Sequence, residues 1–583
     1  MLQPVGVDQA RKIALREGFA GELVVPGDGG YDESRAVHNG LVDKHPALIA
    51  RCRSATDVAT AIHLARDLEL EVSVRGGGHS VSGRAVTDDG VMIDLALLRD
   101  VTVDPEASFA TAEGGVTWGE FNTATHAHRL ATTGGVVSTT GIAGLTLGGG
   151  LGYLMAKYGL SADNLTAADV VTADGALLRA SAASEPDLFW ALCGGGGNFG
   201  VVTSFEYRLH PVSEVTAGLV AHPFPAAGEM MRFWREYTAD LSDELVTFAG
   251  LVHAPDGSGV PLAAMVVCHC GTAEQAQAEL APLLAYGSPA MVAVDRMPYP
   301  GANQMLDAGY PRGARNYWKS SFMQDLDDDL IDVMIERFAR APSPMTAMIY
   351  EHLHGQVTRV AVSDAAFPHR EPGYNLIMTS VWTDVATDDQ NTTWTRDTFA
   401  AMQPHFAARR YANYLDTDDT GEIVRSAYGP NHARLSDIKR RYDPDNVFRL
   451  NANIVLDDAH RALRAVEGRP FGDVFRILRH HQRKKAKPRA ARSRPTDDGC
   501  PPLVGFERPY TTDRRDGSTA AHCSMAVRMR GKIVAWRVAG PPARCVSGPP
   551  SRSWNHPIST SGRTRRKTGS RAMSSSPSWR TAW

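Results

Sequence analysis

RGGGHS, residues 75–80, follows a run in which Leu70, Val72 and Val74 alternate with Glu71 and Ser73. That period of two predicts a short half-buried strand delivering Gly76, Gly77 and Gly78 to a turn. Glycine accepts positive φ, and successive glycine amides can crowd against an anion, so a diphosphate suits this turn. His79 and Ser80 then stand at the edge of an anion site. An imidazole placed there can serve as a metal ligand, an acid or base, or a point of covalent attachment. The six residues alone leave those roles open, and they equally allow a plain turn with a hydrogen-bonded histidine.

Working outward, Ser54 reads as the cap of a helix with Val58, Ile62 and Ala65 on one face, just ahead of the glycine strand. Residues 91–95 and 108–112 read as strands and 118–128 as a helix, which suggests an α+β nucleotide-binding unit. No G-x-G-x-x-G stands in a strand–turn–helix setting, which argues against a Rossmann-type nicotinamide enzyme. Further on, 184–193 reads as a helix capped by Ser184 with Asp187 three residues later, and 201–209 as a strand. GGGGNFG, 194–200, joins the two. From about 215 to 410 the glycine clusters stop, and strand-like runs (262–268, 375–382) mix with a helical stretch at 327–339.

Three further blocks follow the hexad, as the second, third and last of the series: GGVVSTTGIAGLTLGGGLGYLMAKYGLSADN (134–164), GGGGNFGVV (194–202), and 411–454 with YANYLD, RLSDIKRRYDPDNVF and NANI. Together they resemble the FAD-linked oxidases of the berberine bridge enzyme-like group, within the vanillyl-alcohol oxidase type of flavoprotein. The resemblance covers most of 54–454 and is weakest in its middle. It implies an α+β fold: a two-part FAD-binding domain, 1–214 with a return segment 411–456, and an inserted α+β substrate domain, 215–410. In that family the histidine of the hexad is joined to the 8α-methyl of the flavin, which puts the bond on His79.

The same resemblance places flavin contacts on Arg75, Gly76, Gly77, Gly78, His79, Ser80 and Gly83. It adds Val137, Thr140, Gly141, Gly144, Gly149 and Gly152 from the second block, Asn198, Gly200 and Val202 from the third, and Asn451 from the last. The physical use of these glycines is close backbone approach to a flat ring system and its ribityl chain. Many relatives carry a second covalent cysteine where alignment on Gly141 gives Val137, so a single link and a lower flavin potential are expected. Thr140 falls where relatives keep a small residue near the oxygen approach, and Ile377 where several have a polar pocket residue. The second tyrosine of Y-x-N-Y often acts as base, which makes Tyr414 the catalytic candidate and Tyr411 a companion contact. A phenol with a pKa of about 10 needs a neighbouring cation or a hydrogen bond to its phenolate to work near neutrality.

The 583 residues are 43% hydrophobic, ordinary for a globular protein of two or three domains. The N-terminus has no basic-then-apolar leader and no long apolar run follows, so a cytoplasmic protein without a membrane partner is expected. Seven cysteines are scattered. Cys268 and Cys270 flank His269, but one C-x-C is thin evidence for a metal, and none is expected. The net charge of −4 conceals a division, because residues 457–583 carry 27 Lys and Arg against 9 Asp and Glu, leaving the preceding part near −22. This basic tail, rich in Ser, Pro and Gly, reads as disordered. Its charge could attract nucleic acid, but its composition equally suits read-through or a shifted frame, and no specific nucleic-acid role is expected.

The functional expectation is an FAD-dependent oxidase. It removes a hydride from an alcohol, sugar or secondary-metabolite substrate and passes electrons to oxygen, giving hydrogen peroxide. A dehydrogenase on the same fold and a flavin-binding protein without turnover are the alternatives.

Overall fold

The alternating runs around the hexad form one edge of a four-stranded sheet in the computed structural model, which describes Ala10, Ala14, residues 17–456 and the backbone of two later strands. Its strands are β1 (Glu22–Val24), β2 (Leu48–Arg51), β3 (Val72–Arg75) and β4 (Val91–Asp94), in the order β1-β2-β4-β3. β2 and β3 both run parallel to β4. A parallel pair needs a crossover, and helix Ala55–Asp67 supplies it between β2 and β3. Ser54 caps that helix, its hydroxyl accepting from the Asp57 amide at 3.1 Å. Val58, Ala61, Ile62 and Ala65 pack beneath it on Leu48, Ala50, Val91 and Ile93.

A second sheet, wholly antiparallel, follows in the order β5-β6-β9-β7-β8: β5 (Val101–Asp104), β6 (Phe109–Glu113), β7 (Leu165–Val171), β8 (Leu177–Ser181) and β9 (Val201–Arg208). Helix Trp118–His126 and helix Pro186–Leu192 share its core. Leu415, Tyr428, Leu435, Ile438 and Ile454 of the last block join the same core. Ser184 is not the cap expected of it. The helix begins two residues later at Pro186, after Glu185 in a left-handed conformation (φ 49°), and the Ser184 amide is turned to the Ser181 hydroxyl. Proline's fixed φ at the first helical position was the signal that mattered.

The glycine-poor middle forms a seven-stranded antiparallel sheet in the order β13-β10-β12-β11-β15-β16-β14. Its strands are β10 (Glu214–Pro223), β11 (Leu245–His253), β12 (Pro261–His269), β13 (Met291–Pro298), β14 (Arg315–Met323), β15 (Ala347–Leu353) and β16 (Gly373–Trp382). Helices Ala227–Tyr237, Ala273–Leu284 and Asp328–Phe338 cover one face, burying Trp234, Leu280, Ile331 and Phe338. The opposite face carries Phe248, Val266 and Phe322 against Tyr153, Phe367 and Tyr411. Because side chains alternate, β15 sends Glu351 toward that second face, whereas His352 lies against Trp234 and stacks on His354 at 4.6 Å.

Among the described residues no helix is long and apolar enough to cross a membrane, and no group of His, Cys, Asp and Glu is arranged to hold a metal. Cys268 is buried in β12, and His269 bonds to Glu279 at 3.1 Å. The disorder expected of 457–583 falls outside the described residues. Within residues 489–583, a unit of their own, the described part is the backbone of β17 (Ser524–Met529) paired antiparallel with β18 (Lys532–Arg537).

Candidate active site

Where β3 ends, Gly76 to Ser80 turn away from the sheet and line a cavity of about 320 Å³. A Cβ on Gly77 would stand 2.5 Å from Cα and N of Gly141, so the first two glycine blocks meet backbone to backbone and neither position has room for a side chain. Gly78 holds the turn at φ +67°. The amides of Gly77, Gly78, His79 and Ser80 have no hydrogen-bond acceptor among the described residues, so four donors remain for an anion. Gly144 and Gly197 also line the cavity, and a Cβ on either would meet nothing within 4 Å. The result is a bare peptide surface on which a flat ring or a phosphate chain can lie. These features fit an FAD.

Of the expected contacts, Gly76, Gly77, Gly78, His79, Ser80, Val137, Thr140, Gly141, Gly144, Gly200, Val202 and Asn451 line this cavity, as does Tyr414. Arg75, Gly83, Gly149, Gly152, Asn198 and Tyr411 stand behind it. Arg75 clamps Asp94 in a two-pronged pair, 2.9 and 2.6 Å, fixing β3 to β4 at the point where the turn departs. Gly83, Gly149 and Gly152 pack on Val42, Phe367 and Gly134. Asn198 ties the third block to the last: its amide donates to Gly195 O (2.8 Å) and Ala452 O (3.1 Å), and its carbonyl accepts from the Ile454 amide (3.0 Å). Asn451 completes the tie by donating to Gly197 O at 3.0 Å. Tyr411 is fully buried, and its hydroxyl accepts from the Gly150 amide and from Asn413, both at 2.9 Å. It shapes the glycine turn from behind.

The chemistry concentrates on His79, Tyr414 and a residue absent from the sequence reading, Glu351. His79 is stacked on His38 with ring centroids 3.9 Å apart. Burial, and then the neighbouring His38, push its pKa down to about 3, so the ring is neutral at pH 7. Its Nε2 is buried without a partner among the described residues. Across the cavity the Tyr414 hydroxyl donates to Glu351 Oε1 at 3.0 Å, and Asn375 donates to Oε2 at 2.6 Å. Glu351 is 3% exposed. Burial pushes its carboxyl up to about 7, against the lowering effect of those two hydrogen bonds. Burial, and then the Glu351 charge, raise the Tyr414 phenol well above its ordinary value. The cation that an activated Tyr414 calls for is not its partner; a carboxylate is. Glu351 lies in AMIYEHL, a strand with no motif around it, and its one legible signal was a carboxylate inside an otherwise buried run.

A glycine-built anion cradle faces a buried tyrosine–carboxylate pair across one cavity, an arrangement that fits a flavin-dependent oxidoreductase. Residues 46–181 match the family model described as FAD binding domain, and 410–455 the one described as berberine and berberine like. The chain is 30% identical over 463 residues to (R)-6-hydroxynicotine oxidase of Paenarthrobacter nicotinovorans, covering 76% of this chain and 98% of that protein. Among solved structures, 6-hydroxy-D-nicotine oxidase from Arthrobacter nicotinovorans aligns with a TM-score of 0.70 at 28% identity, over 75% of this chain and 98% of that one. Xylooligosaccharide oxidase from Myceliophthora thermophila, in complex with xylobiose, aligns at 0.68 and 22% identity over 77% of this chain and 99% of its own, and speaks for the fold alone. The chain belongs to the berberine bridge enzyme-like family of FAD-linked oxidoreductases, with the FAD-binding fold of the vanillyl-alcohol oxidase type.

Proposed function

We propose that this chain is an oxidase that removes a hydride from a carbon bearing a heteroatom, with FAD held by a single covalent link at His79 and oxygen as the electron acceptor, giving hydrogen peroxide. In this reading residues 1–214 and 411–456 hold the cofactor and 215–410 the substrate. The observation that carries it is the Tyr414–Glu351 pair, 3.0 Å apart, on the cavity wall opposite the glycine cradle.

Bound FAD supplies the two-electron acceptor and the isoalloxazine ring. The amides of Gly77 to Ser80, without an acceptor among the described residues, would hold its diphosphate, and Gly144 and Gly197 would leave room for its flat parts. Neutral His79 offers the lone pair that a link to the 8α-methyl needs. Val137 offers no sulfur for a second one. Tyr414 directs its hydroxyl at Glu351, whose carboxylate takes the proton that substrate oxidation releases, directly or through the phenol. Thr140, the position the resemblance assigns to the oxygen approach, lies on the cavity wall.

The test is acid precipitation of purified wild type beside His79→Ala, followed by reaction of the reduced protein with oxygen. Yellow colour held in the wild-type pellet and released from the variant, with stoichiometric peroxide, is expected. Colour released from both would remove the bond from His79, and slow reoxidation by oxygen would turn the oxidase into a dehydrogenase.

A further inference from the structure

The pairing of β15 with β16 sets Glu351 directly opposite Asn375. The other cross-strand neighbours of the two are Phe248 on β11 and Phe322 on β14. Two residues along the same face stand Ile349, Leu353 and Ile377. Among these neighbours the one hydrogen-bond donor is the Asn375 side chain, whose Nδ2 donates to Glu351 Oε2 at 2.6 Å. The donor to Oε1, Tyr414 at 3.0 Å, arrives from outside the sheet. Glu351 and Tyr414 line the cavity, and Asn375 stands behind them.

An amide is an awkward choice for that position. Asn375 is 0% exposed, and its Oδ1 is buried without a partner among the described residues. A buried carbonyl left unpaired destabilises a fold, and an apolar side chain of similar size would avoid the penalty. What the amide alone supplies is its N–H. Burial works against the ionised form of Glu351, and the Asn375 hydrogen bond is the largest influence opposing it, ahead of Tyr414. The neighbouring basic groups are otherwise disposed: Arg84 on the cavity wall donates to the carbonyls of Asp416 and Asp419, and burial keeps His79 neutral.

Resting on the reading that gives Glu351 the substrate proton, we infer that Asn375 is a positioning residue: from β16 it fixes the plane of the Glu351 carboxyl, favours its ionised form and leaves Oε1 turned to Tyr414 and the cavity. A proton released by substrate is thereby received at Oε1, directly or through the Tyr414 phenol, and not at the oxygen behind. The unpaired Oδ1 is the structural penalty of that arrangement.

The test is a pH titration of purified holoenzyme by infrared difference spectroscopy, which reads the C=O stretch of a protonated buried carboxyl and needs no substrate. In wild type a band should be lost around pH 7, and Glu351→Gln should lack it. In Asn375→Leu the same loss should move up by about one to two pH units, the weight of one hydrogen bond to a charged group. Asn375→Asp sets a second carboxyl beside the first. The loss should then split into two steps, one below and one above the wild-type inflection, because the pair shares a proton. The other groups that feel the carboxyl are the phenols Tyr153, Tyr310, Tyr411 and Tyr414, all raised above their ordinary range. His352 and His354, next along the chain, are lowered by burial, so none of these titrates in the window. An inflection in folded, flavin-loaded Asn375→Leu within a few tenths of a unit of wild type overturns the inference, as does a single step in Asn375→Asp. A wild type without a band that Glu351→Gln removes overturns it too. Shifts as expected in a protein that forms no peroxide uphold the hold of Asn375 on Glu351 and overturn the oxidase reading alone.

Discussion

The two walls of the cavity are made of different material. The cradle wall is backbone: Gly77 against Gly141, four amides without an acceptor among the described residues, and the bare surface at Gly144 and Gly197. The opposite wall is side chain: the Glu351 carboxylate and the Trp318 ring, set by strand register in the seven-stranded sheet, with the rings of Tyr310 and Tyr414 brought up from segments outside its strands. A backbone wall is defined by what it excludes, since almost any added atom closes it. A side-chain wall is defined by what it presents, and each position can change without disturbing the sheet beneath. A cofactor common to a family and a substrate particular to one member call for this division.

The sharpest way to break the comparison is Glu351→Gln. Loss of the proton acceptor should slow flavin reduction about 10²–10⁴-fold with flavin content unchanged, measured by stopped-flow absorbance; an undiminished rate would put the proton elsewhere. Next comes the pH profile. Glu351 accepts a proton only when ionised, and its carboxyl is pushed up to about 7. kcat/KM should therefore fall about tenfold per unit below that inflection and level off above it. Tyr310 and Tyr414, which face the carboxyl, are both held above the ordinary phenol range and stay protonated there. In Glu351→Gln the inflection should vanish.

Smaller effects probe the backbone wall. Gly77→Ala forces a methyl within 2.5 Å of Gly141 and should cost about 1–3 kcal/mol, read as a lower Tm together with less flavin per protein. Gly144→Ala, with nothing within 4 Å of the new carbon, should leave the Tm of flavin-free protein unchanged while still lowering flavin occupancy. If both variants behaved alike, the cradle would not be the cofactor surface. The smallest change is expected of Tyr411→Phe. It strips an acceptor from Gly150 and Asn413 and should cost about 1 kcal/mol of stability, with a reduction rate much closer to wild type than that of Glu351→Gln.

The cradle was legible because its physics is local. Consecutive glycines, a strand ahead and a histidine behind all sit within a few residues of one another, and the helix cap at Ser54 was equally readable. Glu351 was not legible. Its role depends on β15 lying beside β11 and β16 and on Tyr414 arriving from more than sixty residues away, which no local period encodes. Tyr411 and Tyr414 illustrate the limit well: the same short motif carries both, yet one hydroxyl faces the cavity and the other supports a turn from behind. Arg75 and Asn198 belong with Tyr411, since each sits in a glycine block and each is spent on holding that block to another strand or segment.

The alternation of Glu351 and His352 along β15 has an evolutionary side. Substitutions at the wall change its character by degrees, one ring or one methyl at a time. Loss or gain of a single residue in Ala347–Leu353 would do something else: it would trade an acid for an imidazole at the heart of the cavity in one event. Innovation in substrate at this strand therefore has two tempos, a gradual one through point changes and an abrupt one through length changes.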